Sequence, residues 1–199
     1  HRKREIEDFL KMLITVEPPY TFVIDAPWGS GKTFFVKQVA RVLQMANPTL
    51  NHDFETLNAT LGETATELPA TPCLPIYFNA WEDDHFDNPI LPILASIANA
   101  VDEQSVKGGK DFGKGVIKSH LPKVAKRAVI FIDELDRCRP EFAIKVLEQT
   151  KTLFQQESIV VVYSTDITQL AHSLQGVYGP RFEGRKYLER FYDKRLELN

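Results

Sequence analysis

Asp25-Ala26-Pro27-Trp28-Gly29-Ser30-Gly31-Lys32-Thr33 is the stretch around which the chain is organised. An apolar run, Thr21-Phe22-Val23-Ile24, leads into it. A helical pattern leads out, with Phe35, Val36, Val39, Ala40, Leu43 and Ala46 on one face. A strand, a Gly-rich turn, Lys-Thr and a helix make a cradle for polyphosphate, because backbone N–H groups at the turn and the helix head point inward. Gly29 and Gly31 allow the backbone a close approach that a side chain would forbid. Lys32 can reach the β- and γ-phosphates, and the Thr33 hydroxyl can coordinate Mg²⁺. The residues expected to touch the nucleotide are Ala26, Trp28, Gly29, Ser30, Gly31, Lys32, Thr33 and Phe34. The pattern asks for Gly at its first position, where this chain has the small residue Ala26. The plain alternative is a chance Gly-Lys-Thr turn between a strand and a helix.

The rest of the chain supplies the context. Its 199 residues suit one α/β domain, and 43% hydrophobic content is enough for a packed core. A formal net charge of −3 argues against polyanion binding by bulk charge. Two cysteines, Cys73 and Cys138, show no metal-binding spacing and suit a reducing, cytoplasmic compartment. The five histidines are scattered. No apolar run approaches the roughly 18 residues that span a bilayer. The chain opens on His1 and ends on Leu198-Asn199, just after a charged segment, so more protein is expected to follow.

Residues 2–14 read as an amphipathic helix with Ile6, Phe9, Leu10, Leu13 and Ile14 on one face, ended by Pro18-Pro19. Strands are expected at 21–25, 73–79, 128–133 and 159–163, with a last short one at 194–198. The helices expected between them span 32–46, a stretch opened by Asn88-Pro89, another opened by Pro140, one with Ile167, Leu170 and Leu174, and a short one at 184–192. In the second of these, Ile90, Leu94, Ile97, Ala98 and Val101 line one face. Two excursions interrupt the alternation, at 47–72 and 104–127. From Lys107 to Arg127 the second holds seven Lys/Arg against the single acid Asp111. It reads either as a solvated basic loop or as a contact to nucleic acid.

Strands alternating with helices imply a mostly parallel, doubly wound sheet with helices on both faces, whose ligands bind beyond the carboxyl ends of the strands. The Gly-rich loop, the Asn79-Ala80-Trp81-Glu82 stretch, the Asp133-Glu134-Leu135-Asp136-Arg137 stretch and Ser164-Thr165-Asp166 all follow strands. All four therefore face one edge. Asp133, ending a buried apolar strand, occupies the position that holds Mg²⁺, often through water. Glu134 is the candidate general base for an attacking water. The alternative for this pair is a solvated strand end or a helix cap. Arg137 can contact phosphate, or pair with Asp136 or Glu141. Thr165 or Asp166 sits where a polar γ-phosphate sensor stands, or caps the next helix. Trp81 reads as a packing residue, and Glu82 is expected near the phosphates or the attacking water.

WGSGKT, FNAWE after a strand, VIFIDELDRC followed by Pro-Glu and a helix, a strand ending in STD, then YGPRFEGRKYLERF: in this order, the series resembles the KAP family of P-loop NTPases. The resemblance runs from about Phe9 to the end. It implies an Mg²⁺-dependent ATPase with a catalytic Glu beside the metal-binding Asp, and strand order 5-1-4-3-2. It implies bacterial defence against phage, beside protein partners or by self-association. It favours ATP over GTP, and the chain has no Asn-Lys-x-Asp guanine-reading motif. Some members insert transmembrane helices before the Asp-Glu strand; residues 104–127 are short and basic instead.

Three functions are weighed on these residues. The first is an ATPase switch carried by Lys32, Thr33, Asp133 and Glu134. The second is a scaffold that binds ATP and hydrolyses it slowly or not at all. The third is a phosphotransferase, against which the Asp133-Glu134 pair and the absence of an Arg-rich lid argue. Arg137, Arg181, Arg185 and Arg190 are the candidate arginine fingers.

Overall fold

A computed structural model describes residues 2–47, 73–102, 125–155 and 158–198. Most of both excursions, including nearly all of the basic stretch after Lys107, lies outside the described residues. The elements run α1 (Arg2–Thr15), β1 (Tyr20–Asp25), α2 (Lys32–Ala46), β2 (Cys73–Asn79), α3 (Ile90–Asp102) and β3 (Arg127–Asp133). A 3₁₀ turn, Leu135–Arg137, follows, then α4 (Pro140–Leu153), β4 (Ile159–Thr165), α5 (Ile167–Tyr178) and α6 (Gly184–Leu188). A second 3₁₀ turn, Glu189–Phe191, leads to β5 (Lys194–Glu197).

The sheet has five strands in the order β2-β3-β4-β1-β5, which is the expected 5-1-4-3-2. Every pairing is parallel. The apolar runs explain why. In a strand covered on both faces, successive side chains enter opposite layers and all must be apolar. Phe22 and Ile24 of β1, Val129 and Phe131 of β3, and Val160 and Val162 of β4 pack with α1 and α2. Their neighbours Val23, Ile130, Ile132, Val161 and Tyr163 pack on the other face with α3, α4 and α5. Helix α1 is fixed to the first layer through Phe9, whose ring meets Phe22 at 5.4 Å and Phe35 at 5.7 Å.

Helix α3 packs the expected Ile90, Leu94 and Ile97 against the core and adds Ile93, which the sequence reading left out. Ile93 and Ile97 are buried, while Ile90, Leu94 and Ala98 are only partly covered. The helix is apolar nearly all round, so periodicity alone leaves its facing open, and contact with β2 and α4 selects it. Helix α5 runs through Gly176 to Tyr178 and is capped by Gly179, at φ 97°.

Two contacts seat the last strand and helices. Asp25, at the end of β1, accepts the Ile167 N–H at 2.9 Å and the Arg195 Nε–H at 2.7 Å. It thus ties the head of α5 and strand β5 to the central strand. Gly184 lies against α5 so closely that a Cβ there would sit 2.6 Å from the Ala171 carbonyl oxygen.

Gly184→Ala should therefore force α5 and α6 apart and destabilise the fold by on the order of 1–3 kcal/mol, read from the urea midpoint. Asp25→Ala should cost about 1–3 kcal/mol and raise hydrogen exchange at Arg195 to Glu197 before the central strands respond.

Candidate nucleotide site

The parallel register sets the site. Asp25 pairs with Thr165, Asp133 with Ser164, and Asn79 with Asp133. The polar ends of four neighbouring strands are therefore level. The ladder continues one residue further: the Ala26 N–H reaches the Thr165 carbonyl, the Glu134 N–H the Ser164 carbonyl, and the Ala80 N–H the Asp133 carbonyl. The connecting segments leave the sheet together at this edge.

The Gly-rich turn closes between β1 and α2 with Gly29 at φ 80° and Gly31 at φ 86°. Both are in the left-handed region that favours glycine. Gly31 caps α2 without any side-chain hydrogen bond to the helix head. The free amides and the positive end of the helix dipole thus remain available to an anion. Lys32 is buried, and its Nζ donates to the Ala26 carbonyl at 2.5 Å and the Pro27 carbonyl at 3.2 Å. The ammonium is held over the turn. The Ser30 hydroxyl oxygen is buried without a partner among the described residues.

One cleft is lined by Trp28 to Thr33 of the turn and by Asp133, Glu134, Asp136 and Arg137. Of the residues expected to touch nucleotide, Trp28, Gly29, Ser30, Gly31, Lys32 and Thr33 meet there. Ala26 contributes its carbonyl to Lys32 and lines a neighbouring cleft with Pro27, Thr168 and Gln169. Phe34 points to solvent at the start of α2 and is not among the cleft's lining residues.

Asp133 is fully buried. Its Oδ2 accepts the Tyr77 hydroxyl at 2.8 Å and its Oδ1 accepts the Glu134 N–H at 3.0 Å. Burial, then the charge of Asp133, push the Tyr77 phenol far above its ordinary value, so Tyr77 stays a proton donor to that carboxylate. Asp133 and Thr33 both line the cleft, and a carboxylate and a hydroxyl are hard oxygen donors. That donor set suits Mg²⁺, which takes one or two protein oxygens and keeps water for the rest.

Glu134 sits at φ 60°, the only non-glycine among the described residues with positive φ. Such a conformation costs of order 1 kcal/mol or more and persists where neighbours impose it. The Glu134 N–H bond to β4 and the 3₁₀ turn that follows impose it here. Its carboxylate is shared: Arg137 reaches Oε1 at 3.1 Å and the Asn79 amide reaches Oε2 at 3.3 Å. Arg137 thus pairs with neither Asp136 nor Glu141, the partners considered from sequence. Its guanidinium also lies over the Trp81 ring, 5.3 Å from the centroid.

Asp136 has other obligations. It accepts the Trp28 indole N–H at 2.5 Å and the Thr165 hydroxyl at 3.0 Å, linking the Gly-rich turn to β4. Asp166 caps α5, accepting from the Thr168 and Gln169 N–H groups. Of the two sensor candidates, only Thr165 therefore keeps its side chain in the Asp136 network. Glu82 is exposed and meets the site only through the Asn79 amide, at 2.8 Å. Cys138 is buried; burial, then nearby carboxylates, push its thiol up, which makes it unreactive.

The candidate fingers separate clearly. Arg137 lines the cleft. Arg185 donates to the Thr168 hydroxyl at 2.7 Å, and Arg181 is exposed. Arg190 lies by Pro19 and Thr21, at the start of β1 and the far end of the sheet. Sequence reasoning placed Asn79 at this edge without a partner, and missed Tyr77 and Arg2, whose guanidinium donates to the Ser30 carbonyl at 2.8 Å. Alternation along β2 puts Tyr77 and Asn79 on one face, which is the signal that points to them together. Arg2 is brought in by helix packing and leaves no local signal.

No curated protein matches the chain. Among solved structures, the chain superposes over its whole length on 45% of the Aeropyrum pernix ORC1 protein in complex with DNA, at TM-score 0.53 and 22% identity. Over 99% of its length it superposes on 47% of the Aeropyrum pernix ORC2 protein in its ADPNP-ADP complexes, at TM-score 0.53 and 14% identity. The chain thus spans about half of each of these proteins, and the likeness shows a shared fold. The model of the KAP family P-loop domain matches residues 2–114 and 113–199. The chain belongs to the KAP family of P-loop NTPases.

Proposed function

We propose that this chain is an Mg²⁺-dependent ATP-binding and ATP-hydrolysing module that passes its nucleotide state to a partner. The observation that carries the reading is the single cleft that brings Gly29 to Thr33 opposite Asp133 and Glu134. The turn amides and Lys32 hold the phosphates, and Thr33 and Asp133 hold the metal. Mg²⁺, when bound, neutralises charge that builds on the transferring phosphoryl group. Glu134 orients a water and takes its proton. Asn79 and Tyr77 position the two carboxylates. The whole stretch acts as one module of a longer protein.

ATP as the nucleotide is supported by family membership, and the ADPNP-ADP complexes belong to a protein of like fold. A reducing, cytoplasmic setting is supported by two buried free cysteines. No helix among the described residues is long and apolar enough to cross a membrane. Bacterial anti-phage defence is supported by the family resemblance alone. Nucleic acid as a partner is supported by the basic stretch after Lys107 and by the DNA bound to the similarly folded ORC1 protein.

A second reading, an ATP-dependent scaffold with little hydrolysis, is favoured by one observation. Both Glu134 carboxylate oxygens are engaged, by Arg137 and Asn79. Phosphate release and ATP binding, measured side by side on the full chain, separate the two. As an ATPase, the parent releases phosphate; Glu134→Gln lowers that rate by on the order of 10²-fold or more while still binding ATP. Lys32→Ala should abolish tight ATP binding. Binding without release in the parent supports the scaffold, and no binding of ATP by the parent overturns both.

A further inference from the structure

Resting on the reading of this cleft as an ATP site, we infer that Arg137 is the residue that senses the terminal phosphate. It covers Glu134 when no γ-phosphate is present and moves onto that phosphate when ATP binds, uncovering Glu134 and releasing Trp81.

The geometry supplies each part. Arg137 lines the same cleft as Gly29 to Thr33, and its side chain is 41% exposed, so no packed layer stands between the guanidinium and the cleft. Its present partner is the Glu134 carboxylate, at 3.1 Å. A carboxylate paired with a guanidinium and hydrogen-bonded by an amide is held in its ionised form and is a weaker base toward water. A terminal phosphate carries more charge and more acceptor oxygens than a carboxylate. A planar five-donor fork placed between the two favours the phosphate. ADP has no terminal group at this position, so with ADP the pair to Glu134 stays closed. The residue thereby distinguishes triphosphate from diphosphate and couples that distinction to the availability of the base.

The same movement has an external readout. The Arg137 guanidinium lies over the Trp81 ring, and Trp81 is 52% exposed. The turn carrying Trp81 is held separately, by Asp84, which accepts the Arg139 N–H at 2.9 Å and its Nε–H at 3.0 Å. One side of the 135–139 segment thus anchors the turn while the other lets go of its tryptophan. Asn79 joins the same turn to Glu134, accepting the Trp81 N–H at 3.1 Å while its amide lies 3.3 Å from the carboxylate.

The chain has two tryptophans, Trp28 and Trp81. In full chain carrying Trp28→Phe, Trp81 alone reports, and calorimetry first establishes that ADP and the non-hydrolysable analogue ADPNP each bind with Mg²⁺. The expected result is a Trp81 emission change with ADPNP and none with ADP. Adding Arg137→Ala should give the released spectrum without nucleotide and abolish the response, while both nucleotides still bind within a few-fold. In the Trp28-containing chain, Arg137→Ala leaves Glu134 uncovered but deprives the terminal phosphate of its guanidinium partner, so turnover should fall by on the order of 10³-fold with little change in KM. An equal response to ADP, or a response that survives Arg137→Ala, overturns the inference while leaving the ATP site intact. Failure of both nucleotides to bind in calorimetry, seen also with Trp28 present, overturns the site itself.

Discussion

Parallel register is the constraint on which everything else depends. Asp25, Thr165, Ser164, Asp133 and Asn79 are level with one another only because β1, β4, β3 and β2 pair without offset. A slip of one residue in any central strand would exchange its two faces and pack side chains shaped for one layer into the other. The two hydrophobic layers, each drawing alternate residues from every central strand, prevent that slip. The core therefore does more than stabilise the sheet. It fixes, to within a side chain, where each polar strand end emerges.

That edge is crowded with acids. Asp25, Asp133, Asp136 and Asp166 are all buried there. Each has a distinct set of donors: Arg195 and the Ile167 amide for Asp25, Tyr77 and the Glu134 amide for Asp133, Trp28 and Thr165 for Asp136, and two helix amides for Asp166. Burial of a carboxylate is tolerable when hydrogen bonds satisfy it. The division of donors also separates their tasks. Asp25 and Asp166 hold the fold together on the β5 side. Asp133 and Asp136 face the Gly-rich turn. Glu134 alone combines a positive-φ backbone with an arginine partner from the 3₁₀ turn that follows it.

Asp136 gives the site its internal connection. Through Trp28 it holds the Gly-rich turn, and through Thr165 it holds the end of the strand between β1 and β3. The neighbouring Arg137 holds Glu134 and Trp81. One 3₁₀ turn, Leu135–Arg137, thus gathers the phosphate cradle, the candidate base and the turn after β2. Its tight geometry sends adjacent side chains in different directions, so two successive residues serve two different networks.

Much of this was legible in the sequence because it is local. The Gly-rich turn, the unbroken apolar strands and the Pro and Asn signals mark the elements, and the residues of the turn that line the cleft are contiguous, from Trp28 to Thr33. The strand order came through the resemblance carried by the FNAW and DELDRC stretches. Tertiary structure decided what depends on facing and on distant partners. It buried Ile93 more deeply than Leu94, since an almost uniformly apolar helix carries little facing signal of its own. It gave Arg137 to Glu134 instead of Asp136 or Glu141, because Asp136 was already satisfied from two other elements. It left Phe34 and Glu82 off the cleft's lining and set Arg2, Tyr77 and Asn79 behind that lining as hydrogen-bond partners of Ser30, Asp133 and Glu134. Spacing along the chain fixes which residues are near in sequence; only the packing of separate strands and helices fixes which charges and hydrogen-bond donors meet.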